Sequence, residues 1–494
     1  MAEKTKTRVP IATQLATMGS NFWVANIIEA GERLAFFGVR AVVPLYMCGD
    51  DSVLHLSMTE KGVIFGIWAL LQCLLPMVSG GYTDAYGYKK SMAIAFCINI
   101  IGYVSMASAT GFWSMLLAAM LVGTGTAIFK PPVQGAVAKS LNEGNSGLGF
   151  GLFYWVVNIG GFLAPMAAAV LRGNEAAPTW SHVFYGAAVV TAFNFLPAML
   201  LFREPELDVA AREKSPLQVF ADSIATLLKD REMLRFLFII SGFWFMFMQL
   251  WDLLPNFIDE WVDTRDVGGF LTSAAGTVGM GASGLLEADG AAKPEILINI
   301  DSFTILMVVL PLAWFFGKFR MMAALSTGIA ISVVGFVGSG ATNVGMVCAA
   351  MIFLFALGES LCSPKFSEYI GMSAPADKKA LYMGYSNIPF AVGWAGGNFL
   401  SGPLYDTFSS RSRFAQEYLV EHFGMTVEAV AALEPKEIMP TLVGKLGEGA
   451  TTYDATQLLW QAHSPWVIWW ILGAIGLASL VGMVWVYQRQ EKTT

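Results

Sequence analysis

The chain alternates between long apolar runs and short polar segments from one end to the other. A helix needs about 20 mostly apolar residues to cross about 30 Å of hydrocarbon. The runs are continuous rather than alternating every second residue, which indicates helices and not the strands of a membrane barrel. The predicted spans lie near residues 20–47, 62–82, 91–110, 112–134, 147–171, 181–203, 234–258, 296–317, 321–340, 344–370, 379–405 and 465–487. The pattern therefore predicts an all-α membrane protein with twelve transmembrane helices.

The composition narrows the class of protein further. Of the 494 residues, 55% are hydrophobic and 14% are charged, and the mean hydropathy is +0.56. Such a composition excludes a disordered chain. It fits a soluble enzyme poorly, because water-exposed apolar surface of this extent leads to association. The net charge of -7 argues against a nucleic-acid partner. The five cysteines lie in or near apolar runs and imply no disulfide framework.

The distribution of basic residues predicts the orientation of the chain in the membrane, and the most charged connection predicts its division into two lobes. Lys and Arg are concentrated in alternate connections, beginning with the N-terminal one, so we expect both termini to be cytoplasmic in the plasma (inner) membrane. The most charged connection, 204–233, separates an N-terminal six-helix lobe (1–203) from a C-terminal one (234–494), as in a transporter with a central cavity. We expect the Gly/Ala-rich loop at 259–295 to be flexible, and the polar stretch 406–464 to form a small extracytoplasmic insert.

The first span carries four ionisable side chains on one face. The residues that fall within an arc of about 100° on a helical projection are Glu29, Glu32, Arg33, Phe36 and Arg40. Each charge would cost about 2.5–3.5 kcal/mol at the bilayer centre. This face must therefore look into a polar cavity or contact charged partners. The alternative is a self-neutralised stripe in which Glu29 pairs with Arg33 and has no further role.

The fourth and tenth spans contain further ionisable residues. Lys130 precedes two prolines, and it either extends to the cytoplasmic surface or is buried beside the glutamates of the first span. Glu359 lies mid-span with Ser363 one turn away on the same face, so we expect it to bind a ligand amine or the coupling proton. Lys365 and Glu368, three residues apart, are expected to form a structural or gating pair.

The seventh and eighth spans have polar residues near their outer boundary. The seventh offers Gln249, Asp252 and Asn256 on one face, and the eighth offers Asn299 and Asp301. Substrate contact, an outer gate and simple polar span ends all fit this position. The four histidines lie in outer loops or at outer span ends, so we predict that carboxylates carry any coupled proton.

Several segments together identify a family. The first span contains the motif ExxER as Glu29, Glu32 and Arg33, and the loop GGYTDAYGYKK follows the second span. The later segments are IFKPPV, FYWVVNIGGFLAP, GESLCSP and MGY…GGNFLSG. In these segments the chain resembles the proton-dependent oligopeptide transporter family of the major facilitator superfamily. The resemblance covers all twelve spans and implies the major facilitator fold, with two six-helix lobes.

Several positions depart from the pattern of that family, four of them in or near the expected pocket. Phe36 and Phe37 stand where paired tyrosines are usual, and Ser386 stands at the tryptophan position of the eleventh span. Met248 stands where an acid is common, with Asp252 one turn further on. The coupling residues of the first span are retained, so these departures predict an altered specificity pocket.

The resemblance implies a proton-coupled symporter that imports di- and tripeptides through an alternating-access cavity. It would work as a monomer in membrane lipid, with the proton as coupling ion and without a cofactor or metal. The predicted proton-coupling residues are Glu29, Glu32, Arg33 and Lys130. The predicted substrate-binding residues are Arg33, Phe36, Phe37, Arg40, Lys130, Tyr154, Asn158, Gln249, Asp252, Glu359, Ser363 and Ser386. The predicted gating residues are Gly80, Asp84, Lys89, Lys365 and Glu368.

In such a site the basic residues would meet the carboxylate of a peptide, and Glu359, with Asn158 and Tyr154, would meet its amino end. Protonation of Glu29 or Glu32 would release a basic residue for the substrate. Two alternatives stay open: the same fold and coupling with another small amphipathic or anionic solute, and a non-transporting nutrient sensor. The spans contain neither an HExxH nor a GxSxG motif, so no motif in them indicates an enzyme.

Overall fold

The structure of the protein, a computed structural model, is almost entirely helical. It describes residues 10–49, 52–142, 145–173, 179–205, 216–277, 279, 281–316, 321–373, 382 and 385–493.

Seven helices make up the described N-terminal half. They are α1 (Ile11–Ala16), α2 (Ser20–Cys48), α3 (Met58–Tyr86), α4 (Tyr88–Ala107), α5 (Phe112–Lys139), α6 (Ser146–Arg172) and α7 (Trp180–Phe193), the last followed by a π-helical turn at Pro197–Leu201. The start of α3 is set by a capping box, in which Glu60 N donates to Ser57 Oγ and Ser57 N donates to the Glu60 carboxylate. Helices α2–α7 coincide with the first six predicted spans.

The C-terminal half has shorter and more varied helices. They are α8 (Pro216–Lys229), α9 (Arg231–Asp252), α10 (Leu254–Trp261), α11 (Arg265–Thr277), α12 (Pro294–Phe316), α13 (Met321–Gly340), α14 (Gly345–Ser373), α15 (Asn387–Phe390), α16 (Gly396–Phe408), α17 (Arg411–Phe423), α18 (Val427–Ala431), α19 (Pro435–Leu446), α20 (Thr452–His463) and α21 (Val467–Thr493). A π-helical turn at Ala391–Ala395 joins α15 to α16. The predicted linker 204–233 therefore contains a helix, α8, in its described part.

Nine helices of the described residues are long and apolar enough to cross a membrane. The remaining predicted spans are helical over most of their described residues. The first, α2, carries the four charges that the sequence placed on one face. The eighth corresponds to α12, and the eleventh is divided between α15, the π-helical turn and α16.

Each lobe encloses its own apolar core. In the N-terminal lobe, Trp68 belongs to a cluster at one end of the bundle and Phe129 to a cluster at the other, and both side chains are buried. The C-terminal core surrounds Phe247 and Phe355 and continues as far as Leu459. The insert that contains Leu459 consists of helices α17–α20, so it is packed onto the C-terminal lobe.

The loop 259–295, for which we predicted flexibility, contains regular structure in its described residues. It contains α11, a 3-10 turn at Ser283–Leu285 and an antiparallel bridge between Leu286 and Ala292. Lys293 Nζ donates to the carbonyl of Ala169, at 2.6 Å, which fastens this loop to the N-terminal lobe.

The two lobes contact each other at the end of the bundle that carries the insert, which we call the outer end. Lys61 Nζ donates to the backbone carbonyl of Asp252 and to Asn256 Oδ1, each at 2.7 Å. The Asp406 carboxylate accepts hydrogen bonds from Thr59 N (2.8 Å) and Thr59 Oγ1 (2.6 Å) at the start of α3. This acid satisfies backbone donors that a helix start leaves unpaired. The outer end is therefore closed by direct contacts between the lobes.

Candidate functional site

A cavity of about 310 Å³ lies between the two lobes. This volume is at the lower end of the range of about 300–1,000 Å³ that is usual for small-molecule sites. Its lining residues from the N-terminal lobe are Arg33, Phe36, Phe37, Arg40, Gln72, Cys73, Lys130, Val157, Asn158 and Gly161. Those from the C-terminal lobe are Phe247, Met248, Trp251, Asp301, Ser302, Ile305, Glu359, Asn387, Phe390 and Trp394.

The N-terminal wall of the cavity is basic. Arg33 lines the cavity and forms ion pairs with Glu29 (Nε–Oε1, 3.1 Å) and with Glu32, all three side chains being buried. The two glutamates lie behind Arg33 and do not line the cavity. Lys130, from α5, lines the cavity as well. The predicted coupling residues are therefore brought together, with the cations between the acids and the cavity.

Phenylalanine side chains contact the main basic group of this wall. The Arg33 guanidinium lies 5.2 Å from the ring centre of Phe36 and 5.5 Å from that of Phe37. The ring of Phe37 lies 6.3 Å from that of Trp251 in the opposite lobe. Cation–π contacts of this kind stabilise a buried cation by about 0.5–2 kcal/mol. The two residues that replace the tyrosines of the family therefore line the cavity and contact its main cation.

Arg40 reaches across to the C-terminal lobe. It forms an ion pair with Asp252, and this carboxylate also accepts hydrogen bonds from Trp394 Nε1 (2.7 Å) and Asn398 Nδ2 (2.6 Å). The guanidinium also lies 4.3 Å from the ring centre of Phe65. Arg40 lines the cavity but Asp252 does not. The structure thus places Asp252 in a contact between the lobes, where we had predicted a substrate-binding residue.

The C-terminal wall of the cavity is acidic. Glu359 on α14 and Asp301 on α12 both line the cavity and are hydrogen-bonded to each other through their carboxyl groups. They are 8% and 2% exposed, respectively. Neither forms an ion pair with a basic residue in the part of the chain that the structure describes. A basic wall and an acidic wall therefore face each other across one cavity.

Four other predicted substrate-binding residues do not line the cavity: Tyr154, Gln249, Ser363 and Ser386. Gln249 is fully buried and its Nε2 donates to the carbonyl of Phe245 at 3.2 Å. The backbone carbonyl of Tyr154 accepts a hydrogen bond from Asn158 Nδ2 at 2.8 Å, and only Asn158 of these two lines the cavity.

The predicted gating residues lie outside the cavity. Gly80 on α3 faces Pro131 of α5, which a Cβ at this glycine would contact at 3.8 Å. Lys89 Nζ donates to the carbonyl of Met199 at 3.0 Å. The side chain of Asp84 lies outside the described part of the chain. The predicted pair of Lys365 and Glu368 is present as an ion pair, with Lys365 Nζ 2.8 Å from Glu368 Oε2.

The sequence did not indicate a second set of charges that joins the lobes. Arg172, at the end of α6, pairs with Glu287 in the 259–295 loop and with Glu295 at the start of α12 (Nε–Oε1, 2.8 Å). All three side chains are buried. Burial raises the pKa of the Glu287 carboxyl above its usual range, an effect that the neighbouring Arg172 reduces. In the sequence these residues look like ordinary polar loop positions. Their pairing could not be predicted, because Arg172 is more than 100 residues away from both glutamates.

Comparison with known proteins identifies the fold family. The model of the Major Facilitator Superfamily matches residues 27–346. The chain belongs to the major facilitator superfamily. Proteins of this superfamily are secondary transporters, so the chain is an integral, multi-pass inner-membrane protein that moves a small-molecule substrate, and it is not an enzyme. The predicted all-α major facilitator fold is thereby confirmed, whereas the count of twelve spans and the cytoplasmic location of both termini stay predictions.

Relatives with similar sequences are called multidrug resistance protein MdtH. The protein of Photorhabdus laumondii is 23% identical over 406 residues, which cover 80% of this chain and 89% of the relative. That of Yersinia enterocolitica is 20% identical over 482 residues, which cover 97% of both chains.

Solved structures of transporters share the fold at lower identity. The nucleoside transporter NupG, as a mutant, superposes with a TM-score of 0.65 at 13% identity and covers 94% of this chain and 100% of its own. A peptide transporter POT in complex with sulfate has a TM-score of 0.61 at 17% identity and covers 94% and 99% of the two chains. A POT family transporter in complex with 5-aminolevulinic acid has a TM-score of 0.62 at 13% identity, covering 90% and 96%.

Proposed function

We propose that the protein is a proton-coupled symporter of the oligopeptide transporter type, which imports small peptides or peptide-like zwitterions. The observation that carries this proposal is the pair of opposed walls, with Arg33 and Lys130 on one side of the cavity and Asp301 and Glu359 on the other. A zwitterion that spans the cavity would place its carboxylate against the basic wall and its ammonium against the acidic wall. Each buried charge would then have a partner, which offsets the cost of its burial.

The proton would act on the basic wall. In the closed cavity Arg33 is held by Glu29 and Glu32 behind it. Protonation of either acid would weaken this hold, and Arg33 would then turn its charge to the carboxylate of the substrate. A proton that moves down the membrane potential supplies about 2.3 kcal/mol per 100 mV, which is enough for more than tenfold accumulation.

A second candidate is transport of amphipathic organic compounds, with the same fold and coupling. Two observations favour it: the relatives called multidrug resistance proteins, and the aromatic share of the lining. The aromatic lining residues are Phe36, Phe37, Phe247, Trp251, Phe390 and Trp394. An apolar solute with one charge would fill these surfaces and leave one of the two charged walls without a partner.

Uptake into liposomes tests the first candidate. With an inward proton gradient, we expect the intact protein to accumulate labelled dialanine, and uptake to fall to the equilibrium level without the gradient. Glu359→Ala should lower accumulation at least tenfold, since the ammonium loses a buried charged partner worth several kcal/mol. The matched control is Glu232→Ala, which removes a 75% exposed acid at the start of α9, outside the cavity, and should leave uptake unchanged.

Two results would contradict the peptide proposal. One is the absence of gradient-driven dialanine accumulation by protein that is folded and inserted. The other is an equal loss in Glu232→Ala and Glu359→Ala. Competition by amphipathic cations against dialanine, or transport of those cations alone, would favour the second candidate.

A further inference from the structure

Asp301 and Glu359 are in hydrogen-bond contact although both are acids. Two ionised carboxylates repel each other at this separation, so a hydrogen bond between them requires one proton held by the pair. The two residues come from different helices, α12 and α14, and are brought together by the packing of these helices. The resemblance to the peptide transporter family implied one acid here, Glu359, and not a pair.

The pair has unused hydrogen-bonding capacity beside the cavity. Apart from their contact with each other and the Ser363 hydroxyl beside Glu359, the two carboxyl groups receive no hydrogen bond from the described residues, and Asp301 Oδ1 and Glu359 Oε2 are buried. Buried carboxylate oxygens with so few donors are destabilising. Both residues line the cavity, so a ligand there could supply the missing donors. An ammonium group has several N–H donors and one positive charge.

Among the described residues, the other ionisable groups that face the pair are the hydroxyl of Tyr154 on α6 and the thiol of Cys362 on α14. Phenol and thiol groups are ordinarily uncharged at neutral pH. The cations Arg33 and Lys130 are on the opposite wall. The charge at the acidic wall is therefore set by the pair: one negative charge while the proton is shared, and two after it is lost.

We propose that Asp301 and Glu359 act as one proton-sharing pair that binds the cationic group of the substrate, and that Asp301 determines how this binding depends on pH. The proposal rests on the proposed function, since it assigns the ammonium of the substrate to this wall. With the proton retained, the single charge of the pair matches one ammonium. When the proton leaves, the pair gains a second charge and binds the ammonium more tightly.

Asp301→Asn separates this role from a structural one. The asparagine amide has the shape of the carboxyl group and can donate the same hydrogen bond to Glu359, but it cannot ionise. The variant should therefore fold and bind ligand, and lose the part of the pH dependence that comes from the pair.

The experiment measures equilibrium binding of labelled dialanine to purified protein in nanodiscs between pH 5.0 and 7.0. In this range the free amino group of the peptide stays protonated. Protonation of Glu29 and Glu32 changes the affinity for the carboxylate in the opposite direction, and equally in both proteins, so the readout is the ratio of the dialanine affinities of the intact protein and Asp301→Asn. This ratio should rise about tenfold from pH 5.0 to pH 7.0, which corresponds to a pKa difference of one unit between the free and the ligand-bound pair. N-acetylated dialanine has the same carboxylate without the ammonium, and it should show no difference between the two proteins.

An identical pH profile in Asp301→Asn and the intact protein would overturn the proposal, as would an equal change for the acetylated ligand. The same titration with tetraphenylphosphonium, a cation without a carboxylate, separates this proposal from peptide transport. If dialanine does not bind but the phosphonium shows the Asp301-dependent profile, the proposal for the Asp301–Glu359 pair is supported and the proposal of peptide transport is contradicted. If both ligands bind with profiles that Asp301→Asn does not alter, the pair fails and the proposed function stands.

Discussion

The ion pair between Arg40 and Asp252 joins the two lobes at the level of single residues. Both side chains are buried, and Asp252 also holds Trp394 and Asn398, so the carboxylate has donors from three sides. A buried ion pair of this kind need not stabilise a protein more than apolar residues would. Loss of one partner is costly, however, because the other charge stays buried and unpaired.

We expect Asp252→Leu to lower the free energy of unfolding by about 3–5 kcal/mol, since Arg40 loses its counter-charge. The double variant Arg40→Met/Asp252→Leu should regain most of that loss. The measurement is a denaturation titration of the purified protein in detergent. Glu368→Gln is the control: it breaks an ion pair whose acid is 44% exposed, and it should change the free energy by less than about 1 kcal/mol. A double variant as unstable as Asp252→Leu would contradict this account.

At the scale of elements, the close packing of the eleventh span against α9 explains one of its glycines. The π-helical turn Ala391–Ala395 packs directly on the backbone of α9. A Cβ at Gly393 would lie 2.7 Å from Phe245 N and 2.8 Å from the Trp244 carbonyl carbon. These are backbone atoms, which cannot move aside as a flexible side chain does. Glycine is therefore required here by the close approach of the two elements.

This contact predicts a sharp difference between two neighbouring glycines. Gly393→Ala should push α9 away from the π-helical turn and destabilise the protein by about 1–3 kcal/mol, as overpacking of a core does. Gly396 is one helical turn further, and a Cβ there would meet nothing within 4 Å. Gly396→Ala should be neutral or slightly stabilising, because alanine favours a helix more than glycine does. Thermal unfolding in detergent compares them, and equal melting temperatures would refute the packing argument.

At the scale of the whole molecule, the described contacts between the lobes close the outer end. The pair of Arg40 with Asp252, the bonds of Lys61, and the pairs of Arg172 with Glu287 and Glu295 all lie at this end. Alternating access by a two-lobed transporter requires such contacts to break in each cycle. Arg172 and its partners lie outside the cavity lining, so they can be altered without changing the binding groups.

Cys73 lines the cavity and is a native reporter of access from the outer side. With Cys48, Cys97, Cys348 and Cys362 changed to serine, Arg172→Ala should raise the labelling rate of Cys73 by an impermeant maleimide at least threefold. The reason is that Glu287 and Glu295 lose their partner and the outer end opens more often.

Lys436→Ala is the matched control for this labelling experiment. It breaks an exposed pair with Glu434 inside the insert, which does not join the lobes, and it should not change the rate. Equal labelling of Cys73 in the parent protein and in Arg172→Ala would show that these ion pairs do not hold the outer end closed.

Much of this molecule follows from its sequence, because the membrane imposes strong local rules. Apolar runs of about 20 residues must be spans, and charges inside them must face a cavity or partners. For that reason Glu29, Glu32, Arg33 and Lys130 could be grouped in advance, and Glu359 could be singled out. The loop after the second span indicated the superfamily, which is confirmed. The narrower resemblance to the peptide transporter family, based on the first, fourth, fifth and tenth spans, stays a prediction.

The sequence could not predict which residues the acids contact, because those residues come from helices far apart in the chain. Asp252 has the same polar pattern whether it meets a substrate or Arg40, which is 212 residues away. Asp301 looked like a polar span end until α12 and α14 packed together and placed it against Glu359. Spacing along one helix determines which residues share a face, whereas the packing between helices decides what that face contacts. The membrane-embedded charges were therefore predictable, and their pairing was set by the tertiary structure.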